Sequence, residues 1–221
     1  MHFIDIHTHK EYSSDNVITV RNIYPGEGFG SFYKTNFYSV GLHPWHIKSA
    51  KKNNILLEQV EKAVQFDHVV FIGECGLDKK CETDFKEQER IFLKQIELAE
   101  KVKKPIIIHC VKTINEILET RKRSKAKSPW ILHAYSGNIQ QTLQFVKHGF
   151  TFSFGKNLLE NISKVNESLA EIPIDSFFLE TDEYSGSIKD IYQKASEIKE
   201  VDISFLALTI KNNFKRITGI E

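Results

Sequence analysis

Phe3-Ile4-Asp5-Ile6-His7-Thr8-His9 decides the reading of this chain. An apolar run ends there in two histidines spaced i, i+2. Residues so spaced fall on one side of a strand, so both imidazoles converge on one point at its end. Seven further β-type runs follow, at residues 17–23, 37–42, 68–73, 105–109, 130–133, 150–154 and 176–180, after the first at 3–7. Several are almost continuously apolar, as in Ile106-Ile107-Ile108. Such runs suit strands buried on both faces of a parallel sheet.

Helical patterns separate the later runs. Residues 85–103 place Phe85, Ile91, Phe92, Ile96, Ala99 and Val102 on one stripe, with Thr83 or Asp84 as the N-cap. Residues 114–122, 138–148 and 158–170 read as helices too. So do residues 203–216, with Ile203, Leu206, Ile210 and Phe214 on one face and Gly219 just beyond. Alternating strands and helices predict an α/β fold, and eight parallel strands a (β/α)8 TIM-type barrel in a single domain over residues 1–221. Such barrels typically need about 250 residues, and the chain has 221. The shortfall lies early. Residues 10–16 and 24–36, the latter with Pro25, Gly26, Gly28 and Gly30, do not read as full helices. The first two outer helices are therefore expected to be reduced or absent.

Composition excludes several classes. A formal net charge of +1 supplies no global field for nucleic acid. Three cysteines, Cys75, Cys81 and Cys110, follow no zinc-ribbon spacing and leave one unpaired, which fits a reducing compartment. No basic segment precedes an apolar stretch at the N-terminus, and no apolar run approaches the ~20 residues of a membrane span. The expectation is a cytoplasmic protein with no membrane partner.

Active sites of such barrels lie at the C-terminal ends of the strands. That rim carries His7 and His9, His43, Glu74 and Asp78, His109, His133, and Glu180 and Asp182. His2, His68 and His148 fall at the opposite ends of strands; His46 follows the strand 3 run and is open to either reading. Any one of the rim residues alone is an ordinary cap or salt-bridge partner. Together, four histidines with Glu74 and Asp182 are polar groups that all need partners at once, and a metal supplies them. A mixed imidazole and carboxylate set suits divalent zinc, manganese or magnesium. Glu74 is placed to bridge two ions, as in sites that stabilise the attacking and leaving oxygens of a displacement.

In this arrangement the chain resembles the TatD-type metal-dependent deoxyribonucleases, a branch of the amidohydrolase-like barrel hydrolases. The matching segments are Asp5-Ile6-His7-Thr8-His9, Gly41-Leu42-His43-Pro44, Ile72-Gly73-Glu74-Cys75-Gly76-Leu77-Asp78, Pro105-Ile106-Ile107-Ile108-His109, His133-Ala134-Tyr135-Ser136-Gly137 and Glu180-Thr181-Asp182. They run in family order across nearly the whole chain. The resemblance implies two divalent ions, Mg2+, Mn2+ or Zn2+. It assigns His7, His9, Glu74 and Asp182 to one and Glu74, His109 and His133 to the other, with His43 on the scissile phosphate. The implied substrate is DNA, as a single strand or a 3′ end, cleaved at its phosphodiester bonds by a metal-activated water. Asp182 is the expected general base, so Asp182, Glu74 and His43 form the catalytic set. Three features depart from the family. Glu11 stands where an Asp is usual, Lys112 where an Arg often follows the strand 5 histidine, and the loop after Asp182 is only Glu183-Tyr184-Ser185-Gly186-Ser187.

Phosphate partners are expected on the active rim. Lys79, Lys80 and Lys112 are the candidates, with Lys10 beside them. Tyr135 and Trp45 could stack on a base. The basic run Arg121-Lys122-Arg123-Ser124-Lys125-Ala126-Lys127 precedes strand 6 and reads as a solvated segment on the opposite face. Cys75 and Cys110 read as barrel packing, and Ser136 lacks the setting of a nucleophile. Two other functions compete: a two-metal amidohydrolase-like enzyme on a small amide, lactone or phosphoester, and a non-catalytic binding barrel.

Overall fold

The computed structural model describes residues 2–11, 14–29 and 37–220. Eight parallel strands follow one another around a single sheet in chain order. They are β1 (Phe3–Thr8), β2 (Val17–Ile23), β3 (Phe37–Val40), β4 (Val69–Asp78), β5 (Ile106–Val111), β6 (Trp130–Leu132), β7 (Phe150–Phe154) and β8 (Phe177–Leu179). The ring closes where β1 meets the chain after β8. Thr8 and Asp182 form a parallel bridge there, and the Asp182 N–H donates to the His7 carbonyl at 2.9 Å. The buried Asp5 carboxylate fastens the same seam, accepting from the Thr181 N–H at 2.9 Å and from its hydroxyl at 2.7 Å.

Seven α-helices surround the strands among the described residues: α1 (Ala50–Ala63), α2 (Phe85–Val102), α3 (Ile114–Ser124), α4 (Ile139–Lys147), α5 (Ser163–Glu171), α6 (Ile188–Lys199) and α7 (Ile203–Thr218). No helix occurs among the described residues of the first two connections, as expected; residues 12–13 and 30–36 of those connections lie outside the described residues. Asp84 caps α2 by accepting from the Glu87 N–H. Two helices were not expected. Only Asn53 and Val60 of α1 are buried, so it carries almost no apolar stripe. In α6, Ile188, Ile191, Tyr192 and Ala195 are buried at helical spacing, and a capping box from Ser187 to Asp190 starts it. That signal was present in the sequence.

β4 runs to Asp78, five residues beyond the expected end at Gly73, and all ten of its residues are buried. Its pairing with β5 is irregular between Ile72 and Cys75, on either side of Glu74. Gly73 and Gly76 bracket the irregularity at φ values of 139° and 149°, and a Cβ on them would fall 2.5 Å from the Ile107 carbonyl oxygen and 2.1 Å from that of His109. Only glycine lets the two strands approach this closely in that conformation.

The basic run is not a uniformly solvated loop. Arg121 to Ser124 form the last turn of α3. The half-buried Arg121 lies over the Trp130 ring, 4.9 Å from its centroid, and donates to the Ser128 carbonyl at 3.0 Å. A long side chain with an apolar stem packs well over an aromatic face, which the charge pattern alone does not reveal. Among the described residues no helix is long and apolar enough to cross a membrane.

Candidate metal centre

The strand ends bring four donor atoms together beside the closure seam. His7 Nε2 stands 3.5 Å from Glu74 Oε2 and 3.8 Å from Asp182 Oδ1, and His9 Nε2 stands 3.6 Å and 3.5 Å from the same two oxygens. Ligands bound at roughly 2.1 Å to one tetrahedral ion lie at about this spacing from each other. His7 is fully buried, and neither of its ring nitrogens has a hydrogen-bond partner. A buried ring nitrogen without a partner is costly, and a divalent ion among these four atoms gives His7 Nε2 its partner. The donor set therefore fits a metal.

The other oxygen of Glu74 faces a second group of imidazoles. Oε1 lies 2.7 Å from His133 Nε2, 2.8 Å from His109 Nδ1 and 3.1 Å from His43 Nε2. His109 and His43 are aimed by hydrogen bonds at their other nitrogens, and a carboxylate stands near that of His133. His109 Nε2 meets Asp78 Oδ2 at 3.0 Å, His133 Nδ1 lies 3.5 Å from Glu180 Oε1, and His43 Nδ1 accepts from the Trp45 N–H at 3.1 Å. Carboxylates behind histidines are the usual outer supports of a metal site. Glu74 itself is positioned by Asn22, whose Oδ1 accepts from the Glu74 N–H at 2.7 Å and from the Ser39 hydroxyl at 2.9 Å.

Charge is distributed accordingly. Burial opposes ionisation of Glu74, but His133 and the hydrogen bonds from three imidazoles hold its carboxyl well below the usual range. Burial would lower His133, yet Glu74 and Glu180 carry it well above its ordinary value. His9 is also raised, as Glu74 and Asp182 outweigh its burial. Burial lowers His43 despite Glu74. Asp182 is pushed up by burial and by the neighbouring Glu180 and Glu74 carboxylates, against His7 and His133.

A cavity of about 220 Å³ opens over these groups. Its walls include Tyr24, Trp45, Cys110, Ser136 and Glu183 as well as the donors other than the fully buried His7. Cys75 is buried packing as expected, whereas Cys110 is at the cavity wall. Expected substrate contacts are less uniformly placed. Lys80 is exposed and lines a neighbouring hollow with Trp45 and Asp78 rather than this cavity, and Lys79 is paired with Glu116. Lys112 shares a separate hollow with Lys79 and Glu116. Tyr135 is not brought to the cavity: its ring packs on Phe152, at 4.6 Å between centroids, and its hydroxyl meets the Thr142 hydroxyl at 2.9 Å. His46 lies behind Tyr24, ring to ring at 4.2 Å. The sequence reading gave no role to Asn22 or Tyr24. A polar residue near the end of the buried β2 run, and an aromatic one position beyond it, were the available signals.

Residues 27–219 match the profile of the family described as TatD related DNase. The chain belongs to this family. The TatD likeness extends to proteins named as metal-dependent hydrolases. YjjV of Escherichia coli strain K12, an uncharacterised metal-dependent hydrolase, is 30% identical over 154 residues, a segment that takes in 68% of this chain and 59% of that protein. A human protein named the 3′-5′ RNA nuclease TATDN2 is 30% identical over 152 residues, 64% of this chain and 19% of that one. The crystal structure of YjjV, a TatD homologue, superposes with a TM-score of 0.85 at 22% identity, covering 99% of this chain and 98% of that chain. This chain is thus a TatD-family barrel of the metal-dependent hydrolase type.

Proposed function

We propose that this TatD-family protein is a deoxyribonuclease that holds two divalent ions, Mg2+, Mn2+ or Zn2+, and cleaves phosphodiester bonds of DNA presented as a single strand or a 3′ end. One observation carries the reading: the two oxygens of Glu74 face two separate nests of donors. His7, His9, Glu74 and Asp182 would hold one ion, and Glu74, His109 and His133 the other. Bound ions lower the pKa of water and hold a phosphoryl oxygen. The rest falls to the protein. Of the two carboxylates in the donor set, Asp182 is the open one, with 29% of its side chain exposed against 5% for Glu74. Asp182 accepts the proton of the attacking water. His43, fixed through Nδ1 so that Nε2 points inward, orients the scissile phosphate, with Lys80 on a neighbouring phosphate.

The test is hydrolysis of 3′- and 5′-labelled single-stranded DNA by protein stripped of metal and reloaded with Mn2+ or Mg2+. Cleavage of the strand, lost with a chelator and in Glu74→Ala, is the expected result, and the two labels read its polarity. Preferential cleavage of RNA, in line with the name of the human relative, would replace the substrate and keep the chemistry. Turnover of lactones or amides with no cleavage of either nucleic acid would overturn the nuclease reading.

A further inference from the structure

Trp45 is 61% exposed, yet it is not loose. Its indole N–H donates to Asp78 Oδ2 at 2.8 Å, and that oxygen also meets His109 Nε2 at 3.0 Å. Its ring stands edge-on to His43, 5.0 Å between centroids. Behind it is the cavity over the donor cluster; in front is a second hollow of about 400 Å³ lined by Trp45, Asp78, Lys80, Cys81 and Val111. A large apolar face left in water and pinned by a buried carboxylate has its orientation fixed before any ligand arrives. The neighbouring lysine adds a cation within the same hollow.

We propose that Trp45 is a base-stacking platform, on which the nucleobase next to the scissile phosphate rests in the outer hollow, with the following phosphate toward Lys80. The proposal rests on the nucleic-acid reading above and sharpens it. The enzyme recognises a base as well as a phosphodiester, and it does so without sequence preference, because every base offers a π-face. Trp45 also holds Asp78, so stacking and positioning must be separated. Trp45→Phe keeps an aromatic face and loses the N–H; Trp45→Ala loses both.

The chain has two tryptophans, and the other, Trp130, is fully buried. Trp130 is shielded from a bound strand, so a change in emission of the Mg2+-loaded protein on strand binding reports Trp45. Phosphorothioate-linked oligothymidylate should quench it, and an oligonucleotide lacking the base beside the bond to be cleaved should not. Trp45→Ala should weaken binding of the complete oligonucleotide by about 5- to 150-fold, the range for loss of one base–aromatic stack. Trp45→Phe should recover most of that loss, and the abasic oligonucleotide should bind the wild type and Trp45→Ala alike. Equal affinity of the wild type for complete and abasic strands would overturn the proposal. So would an equal loss on both strands in Trp45→Ala, which would make Trp45 only a support for Asp78 and His109. If strands bind with base-dependent quenching and none is cleaved, the platform stands and the nuclease reading fails. If strands are cleaved and emission does not change, the reverse holds.

Discussion

Glu74 joins two sets of imidazoles through one carboxylate, so its removal should be felt on both sides. Glu74→Ala is expected to lower metal content at both positions and to abolish hydrolysis, as read by elemental analysis and a strand-cleavage assay. Normal metal content in a folded variant would refute the bridge. Asp182→Asn keeps the shape and loses the basicity; a fall in rate of roughly 10²- to 10⁴-fold at saturating metal is expected for loss of a general base. Protonation of the cluster gives a third expectation. His133 and His9 are raised in the metal-free site, so their contribution to stability is complete below the unfolded value of about 6.5 and is lost as pH rises through their folded values. His43 has the opposite sign: burial lowers its folded value, so it costs stability as pH falls below about 6.5. The metal-free protein should therefore melt at falling temperature as pH rises above 7. Metal binding near neutrality should release protons, detectable by calorimetry in two buffers of different ionisation enthalpy. A flat melting profile above pH 7 in the chelated protein would contradict this. The metal-type residues themselves were legible because strand ends repeat one theme. Their supports were legible only in part. Asp78 and Glu180 read as rim residues, but no spacing along the chain encodes which polar residue stands behind which ring, and Asn22, which holds the Glu74 N–H from β2, gave no such signal.

Among the elements, α3 shows how charge misleads. Its terminal basic run reads as solvated, but Arg121 is half-buried on Trp130 while Lys122, Arg123, Lys125 and Lys127 are exposed. Arg121→Ala should lower stability by about 1–2 kcal/mol through lost packing and a lost hydrogen bond. Neutralising the other four should leave melting temperature and hydrolysis nearly unchanged. The converse pattern would put the run on the substrate face. The strands were readable because β4 and β5 must be apolar on both faces, and α2 because its buried positions recur at helical spacing. α1 was not, since a helix that buries little beyond Asn53 and Val60 has no stripe to detect. The length of β4 was hidden by Gly73 and Gly76, which interrupt the apolar run and serve here as points of close approach.

Across the whole molecule the net charge is only +1, so attraction to a polyanion has to come from local cations. Lys80→Ala should raise KM for single-stranded DNA and flatten its log–log salt dependence by about 0.7 per lost phosphate contact. Lys79→Ala should do less, because that ammonium is already paired with Glu116. An unchanged slope in Lys80→Ala would remove it from the substrate path. The barrel class followed from the order of strands, but the seam did not: the Asp5 to Thr181 pairing spans 176 residues, beyond any local pattern. That seam has a consequence for how the protein comes into being. β1 leaves the ribosome before the other seven strands, and the Glu180 to Asp182 segment only after all eight. His7 and His9 thus wait, without their distant carboxylate, while the strands between are made, and loop-closure entropy makes this contact a late one. The finished donor cluster is then a record of completed folding: a chain stopped short of Asp182 has the first histidines and Glu74, and cannot close the ring around them.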